Sequence, residues 1–180
     1  MSPWERNPEW GEDDLFFDFA AASRVIKLDE KARGLTHLLK GGVDFVVEWA
    51  NQLWLIEVKD PDCGDIPERY REQQKASFLQ SLMGEELINK HLFPKLRDSL
   101  IFLGMDRGIA DKPLKYITVI GLSSLDPAQF NGLKERLWKT QWLAGPPRGW
   151  HKPFEVHVLN VGQWNRLLQQ CPITRISEQR

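Results

Sequence analysis

GGVDFVVEWANQLWLIEVKDPDCGD, residues Gly41 to Asp65, sets the architecture of the chain. Two runs rich in β-branched and aromatic residues, Val43 to Glu48 and Leu53 to Val58, flank the four residues Trp49-Ala50-Asn51-Gln52, a pattern that predicts an antiparallel hairpin. In a turn centred between Ala50 and Asn51 the numbers of paired residues share one sum, so Asp44 falls directly opposite Glu57. Side chains alternate along a strand, which puts Lys59 on the same face as Glu57. Cross-strand partners have Cβ atoms roughly 4.5–5.5 Å apart, and two carboxylates that close repel each other unless water or a cation intervenes. Water is disfavoured here. The face carrying Asp44 and Glu57 also carries Val46, Leu53 and Leu55, and the other carries Val43, Phe45, Val47, Trp54, Ile56 and Val58. A strand apolar on both faces is expected in the middle of a sheet, so the acids belong at the end of a buried strand.

Outward from the hairpin, Arg24 to Asp29 alternates and predicts a strand, and Lys31 to Gly42 is a connection with a turn of helix at Leu35 to Lys40. Asp60-Pro61-Asp62-Cys63-Gly64-Asp65 fails as a calcium loop, because Gly64 and Arg71 stand where an EF-hand needs an oxygen ligand and a Glu. It predicts instead a turn ending in a capping box, Asp65 with Glu68, that opens a helix from Ile66 to Met83 with Gly84 as its stop. Tyr70, Gln74, Phe78 and Leu82 form one stripe of that helix, so Gln74 interrupts a row expected to face inward. Glu85 to Leu92 continues as helix and Pro94 predicts a break or the start of another turn, while Leu100 to Leu103 suits helix or strand equally. Lys115 to Leu122 predicts a strand, Asp126 to Trp142 a helix, residues 145–149 a loop, Phe154 to Leu159 a strand and Gly162 to Gln170 a helix. Residues 13–23 suggest a short helix leading into a strand, with the element type left open, and residues 1–12 a partly ordered, flexible arm. The expected fold class is α/β, a single domain over residues 1–180 with a mixed β-sheet flanked by helices.

At 180 residues the chain has room for one substantial core, and its 42% hydrophobic and 27% charged content is that of a soluble globular protein. No apolar run approaches the ~18 residues of a membrane span, and the N-terminal residues lack a signal-peptide pattern, so the expected location is cytoplasmic, with no membrane association. Cys63 and Cys171 make no framework and are expected as free thiols. A net charge of -1 excludes a general polyanion coat yet permits a local basic stripe. Most of the eight tryptophans are expected to anchor the core or an interface.

The set of an Asp opening one strand and Glu57-Val58-Lys59 closing the next resembles the PD-(D/E)XK superfamily of metal-dependent nucleases, and the wider context resembles a group of small uncharacterised bacterial members. In that group a strand similar to Ile26-Lys27-Leu28-Asp29 precedes strands similar to Gly42-Val43-Asp44-Phe45 and Leu55-Ile56-Glu57-Val58-Lys59-Asp60, and Lys95-Leu96-Arg97-Asp98-Ser99-Leu100 resembles a polar motif of the same group. The resemblance spans residues 24–122 and implies a restriction-endonuclease-like core. It implies an Mg²⁺-dependent endonuclease, Mn²⁺ substituting, that hydrolyses phosphodiester bonds of DNA ahead of RNA in a bacterial defence or repair system. Asp44, Glu57 and the Val58 carbonyl would hold the metal, Lys59 would stabilise the transition state, and Gln74 would reach the site, although here the Tyr precedes the Gln. Arg69, Lys75, Lys95 and Arg97 are the candidate phosphate contacts, with Arg71 beside them. Asp18, Asp29 or Glu30 would complete the acidic shell. His37, His91, His151 and His157 show no zinc-ligand spacing, and no P-loop, dinucleotide fingerprint or Ser-His-Asp pattern occurs. The alternative is a nuclease-fold binding or regulatory subunit that depends on a protein partner or homodimer and is not catalytic alone.

Overall fold

The computed structural model describes residues 1–29, 39, 41–64, 66–122, 124–140, 143 and 145–179. Its main sheet has five strands in the order β3 (Arg24–Lys27), β4 (Phe45–Glu48), β5 (Leu53–Lys59), β6 (Leu114–Ile120) and β7 (Phe154–Asn160). β3, β4 and β5 run antiparallel, whereas β5, β6 and β7 are parallel, so the sheet is mixed. The β4–β5 register is the one the turn dictates. Phe45 pairs with Ile56 and Glu48 with Leu53, and Trp49 N–H closes the turn on the Gln52 carbonyl at 2.9 Å. Every residue from Leu53 to Val58 is buried, as a central strand requires.

Parallel neighbours need long crossovers, and these bring the helices. Between β5 and β6 run α2 (Glu68–Met83), a wide π-helical turn (Leu87–Leu92) and α3 (Phe93–Asp106); between β6 and β7 runs α4 (Pro127–Trp138), capped by Asp126. Of the two expectations for Pro94, the start of a new turn holds. The proline sits in the first turn of α3, where its missing N–H costs nothing, and Leu100 to Leu103 is helix. These helices cover one face of the sheet, burying Leu82, Leu92, Leu96, Phe130 and Leu133 against Val46, Leu55 and Tyr116. Val43, which precedes β4, also packs on this side rather than with Phe45.

The opposite face is covered by α5 (Val161–Leu167) and a second, three-stranded antiparallel sheet of β1 (Gly11–Glu12), β2 (Leu15–Phe17) and β8 (Ile173–Arg175). Residues 13–23 are therefore not a helix. Leu15-Phe16-Phe17 pairs with Ile173 to Arg175, a partner far along the chain that local periodicity cannot reveal. Nor do residues 1–12 form a loose arm: α1 (Pro3–Arg6) and a 3₁₀ turn (Pro8–Trp10) lead into β1, and Trp4 and Trp10 both pack on Phe16. Trp54 and Trp164 are fully buried and meet edge to face at 5.8 Å. Both cysteines are buried, and no disulfide joins them. The expected helix turn at Leu35 to Lys40, the capping role of Asp65, the acid Glu30, His37 and the end of the fourth helix at Trp142 involve positions outside the described residues. No helix among the described residues is long and apolar enough to cross a membrane.

Candidate functional site

Asp44 stands one residue before β4 and is fixed from three directions. Its carbonyl accepts the Leu28 N–H at 3.0 Å, and its Oδ2 accepts the Val58 N–H at 2.6 Å. The preceding Val43 N–H donates to Ser99 Oγ at 2.8 Å, and that hydroxyl donates in turn to the Lys95 carbonyl at 2.6 Å. One serine thus ties α3 to the start of the hairpin. Glu57, on β5, is 0% exposed and Asp44 3%.

The two acids share one cation, Lys95. Lys59 Nζ donates to Glu57 Oε1 at 2.6 Å, and Lys95 Nζ lies 2.9 Å from the same oxygen, 3.4 Å from Asp44 Oδ1 and 3.1 Å from Asp29 Oδ2. Glu57 Oε2 is buried and has no hydrogen-bond partner among the described residues. Burial, and next the negative charge of Glu57, push the Asp44 carboxyl up to about 8, with Lys95 and the Val58 N–H offsetting only part of this. For Lys95 burial works against the charge, but Glu57 and Asp44 outweigh it and hold the ammonium protonated far above its usual range. Beneath them the fully buried Tyr116 donates its OH to the Leu92 carbonyl at 3.0 Å, and burial followed by Glu57 pushes its phenol upward.

Asp44, Lys59 and Lys95 of this cluster line a cavity of about 920 Å³, with Glu57 fully buried beside them. Glu12, Asp13, Asp29 and Asp60 line it on the acidic side, and α2 lines it with Tyr70, Gln74, Ser77 and their neighbours. Burial, then Glu12, raises the Asp13 carboxyl; burial also raises Asp60, though Arg175 opposes it.

The structure brings Asp44, Glu57 and Lys59 together, with Val58 at the cavity wall and its N–H committed to Asp44. Lys95, expected at a phosphate, reaches the carboxylates themselves. Gln74 lines the cavity but is exposed rather than buried. Among the residues of α2 only Leu82 is fully buried, and Tyr70 is 46% exposed, so the N-terminal half of that stripe overhangs the cleft instead of the core. Arg69 stacks on Tyr70 at 4.6 Å, Lys75 pairs with Asp62 at 2.8 Å, Arg71 lies 3.9 Å from Asp62, and Arg97 pairs with Asp98 at 2.8 Å; none of the four lines the cavity. Asp29 joins the cluster through Lys95, whereas Asp18 accepts the Ala20 N–H at 3.1 Å and lies outside the cavity. His91 lines the cavity; His157 sits 2.9 Å from Glu155.

Glu12, Asp13, Ser99 and Tyr116 escaped the sequence reading. Only Ser99 left a signal, its spacing of four from Lys95, which places both on one side of α3. Among the described residues no group of three or more His, Cys, Asp or Glu side chains is arranged to hold a metal. The donors closest to such a set are Asp44 and Glu57, with Lys95 Nζ where a cation balancing them would sit. Two buried carboxylates, one with an oxygen unpartnered among the described residues, suit a hard divalent cation such as Mg²⁺. Comparison of the chain with protein-family models, curated proteins and solved structures finds no match in any of the three.

Proposed function

We propose that the protein is an Mg²⁺-dependent phosphodiesterase of nucleic acid, DNA ahead of RNA, with a restriction-endonuclease-like core and a cytoplasmic location. The observation that carries this is the meeting of Asp44, Glu57, Lys59 and Lys95 at the end of a central strand, where all but the buried Glu57 line a large open cleft. Asp44 and Glu57 would hold the metal, which when bound supplies charge to phosphoryl oxygens and acidifies a water. The chain's own residues do the rest. The hydrogen bond from Val58 N–H orients Asp44 Oδ2 and leaves Oδ1 turned toward Lys95. Lys59, bound to Glu57 yet lining the cleft, offers a fixed positive charge to a phosphate. Lys95 neutralises the acids while the cleft is empty of cations, and its freed ammonium becomes a second phosphate contact.

The test is nicking of supercoiled DNA and cleavage of single-stranded DNA with Mg²⁺ or Mn²⁺, comparing the wild type with Glu57→Gln and Lys59→Ala. Both variants should lose activity; full activity in both would refute these roles. The saturation of Glu57 Oε1 by two ammonium groups favours a second reading, a nuclease-fold binding or regulatory subunit that needs a partner. Absence of calorimetric Mg²⁺ binding, together with a stable complex with another chain or a second copy, would select it.

A further inference from the structure

We propose that the cleft takes an unpaired polynucleotide strand and reads its bases through one face of α2; this rests on the phosphodiesterase reading and names its substrate. The residues of α2 that line the cavity include Tyr70, Gln73, Gln74, Ser77, Gln80 and Ser81, spaced three and four apart, which is one side of a helix. All are uncharged. The charged residues of the same helix, Glu68, Arg69, Arg71, Glu72 and Lys75, do not line the cavity. The side-chain amides of Gln73, Gln74 and Gln80 make no hydrogen bond to other described residues, so three donor–acceptor pairs stand open on one wall.

A wall of amides and hydroxyls recognises neutral groups that both give and accept hydrogen bonds, as base edges do, rather than phosphates. Tyr70, with the Arg69 guanidinium stacked on its ring, adds an exposed aromatic face on which a base can stack. The acids that line the same cavity disfavour a second backbone. These are Glu12, Asp13, Asp29 and Asp60, and the basic partners of Glu12 and Asp60, Lys27 and Arg175, are already engaged. A duplex would press one of its two phosphate chains against those acids. A single strand sets one backbone on Lys59 and Lys95 and turns its bases to α2.

The experiment is fluorescence anisotropy with short labelled oligonucleotides: single-stranded DNA, RNA of the same sequence and the DNA duplex. Ca²⁺ replaces Mg²⁺ to withhold cleavage, and salt is varied. A single strand of either sugar should bind about tenfold or more tighter than the duplex, with a shallow salt slope of about −1.4, the value for two phosphate contacts. Tyr70→Ala and Gln73→Ala should each weaken single-strand binding about tenfold while calorimetric Mg²⁺ affinity stays unchanged. Duplex binding as tight as single-strand binding, or indifference of both variants, overturns the proposal. Strand binding through Tyr70 without metal binding or cleavage would sink the phosphodiesterase reading alone. Metal-dependent duplex cleavage untouched by Tyr70→Ala would sink the strand proposal alone.

Discussion

Lys59 and Asp60 are adjacent in sequence yet belong to two charge clusters of opposite character. Around Asp60 everything is closed. Arg175 meets its two oxygens at 2.8 and 3.0 Å, reaches Asp14 at 3.2 Å and donates to the Gly121 carbonyl at 2.9 Å, while Ser177 bonds Asp14 through both its N–H and its hydroxyl. A planar guanidinium with several fixed donors welds the second sheet, through β8, to the end of β5 and the start of the chain. Around Glu57 the cations are lysines, compact point charges on flexible stems, and one carboxylate oxygen is left without a hydrogen-bond partner among the described residues, beside an open cleft. The same residue types therefore yield a bolt in one place and a site in the other, and the difference lies in which cation is used and whether every oxygen is satisfied.

Glu57→Gln separates the two clusters most sharply. It keeps the shape of the side chain and removes the charge, so metal-dependent cleavage should fall by about 10³-fold, the scale of losing one preorganised electrostatic element, while the denaturation midpoint of the metal-free protein changes little. A large loss of stability with retained cleavage would make Glu57 the bolt. Arg175→Met is the complementary break. It strands Asp60, whose side chain is 0% exposed, and Asp14 without their cation, and should cost about 3–5 kcal/mol in urea denaturation. The fraction still folded should bind Mg²⁺ with wild-type affinity, and a Met variant as stable as the wild type would undo the comparison.

The open cluster was legible in the sequence because its geometry is local. The turn at Trp49 to Gln52 fixes the register, the register fixes Asp44 against Glu57, and the apolar residues on both faces mark β5 as central. The closed cluster was not legible, since Asp14, Asp60 and Arg175 meet only through β2–β8 pairing across most of the chain. The same non-local pairing turned Leu15–Phe17 into strand. Lys95 fell between these cases: its motif was noticed, but only the packing of α3 through Ser99 and Val43 shows that it points at the carboxylates. Gln74 misled because a helical stripe does not say how much of the helix lies over the core.

Lys95→Gln sharpens the comparison further, since a lysine that can leave should be exchangeable for metal and Arg175 should not. Without metal the variant leaves Asp29, Asp44 and Glu57 short of one positive charge, and its melting temperature should fall. Mg²⁺ should then stabilise it more than it stabilises the wild type, with calorimetric affinity rising about tenfold, equivalent to about 1.4 kcal/mol. Lys59→Gln should raise affinity less, because Lys59 touches only Glu57 whereas Lys95 touches three carboxylates. Weaker Mg²⁺ binding by Lys95→Gln would mean that this ammonium assists the metal instead of standing in its place.

The pH dependence of stability without metal draws the same contrast. Asp44 titrates near 3.8 in the unfolded chain and at about 8 in the folded protein. Between those values the folded state keeps a proton that the unfolded state has released, so its contribution is fully present below the ordinary carboxylate range and is lost as pH rises through about 8. Asp13 and Asp60 are raised as well and slope the same way, whereas Lys95 keeps its proton throughout this window. Urea denaturation in a chelator should accordingly show stability falling between about pH 5 and pH 8, and Asp44→Asn, which cannot titrate, should flatten that fall without abolishing it. Mg²⁺ affinity should run the other way, rising over the same interval as the proton that competes for Asp44 is released. A wild type whose metal-free stability is flat or rising over this range would mean that the Asp44 carboxylate is fully compensated in the folded protein, and the contrast between the open and the closed cluster would vanish.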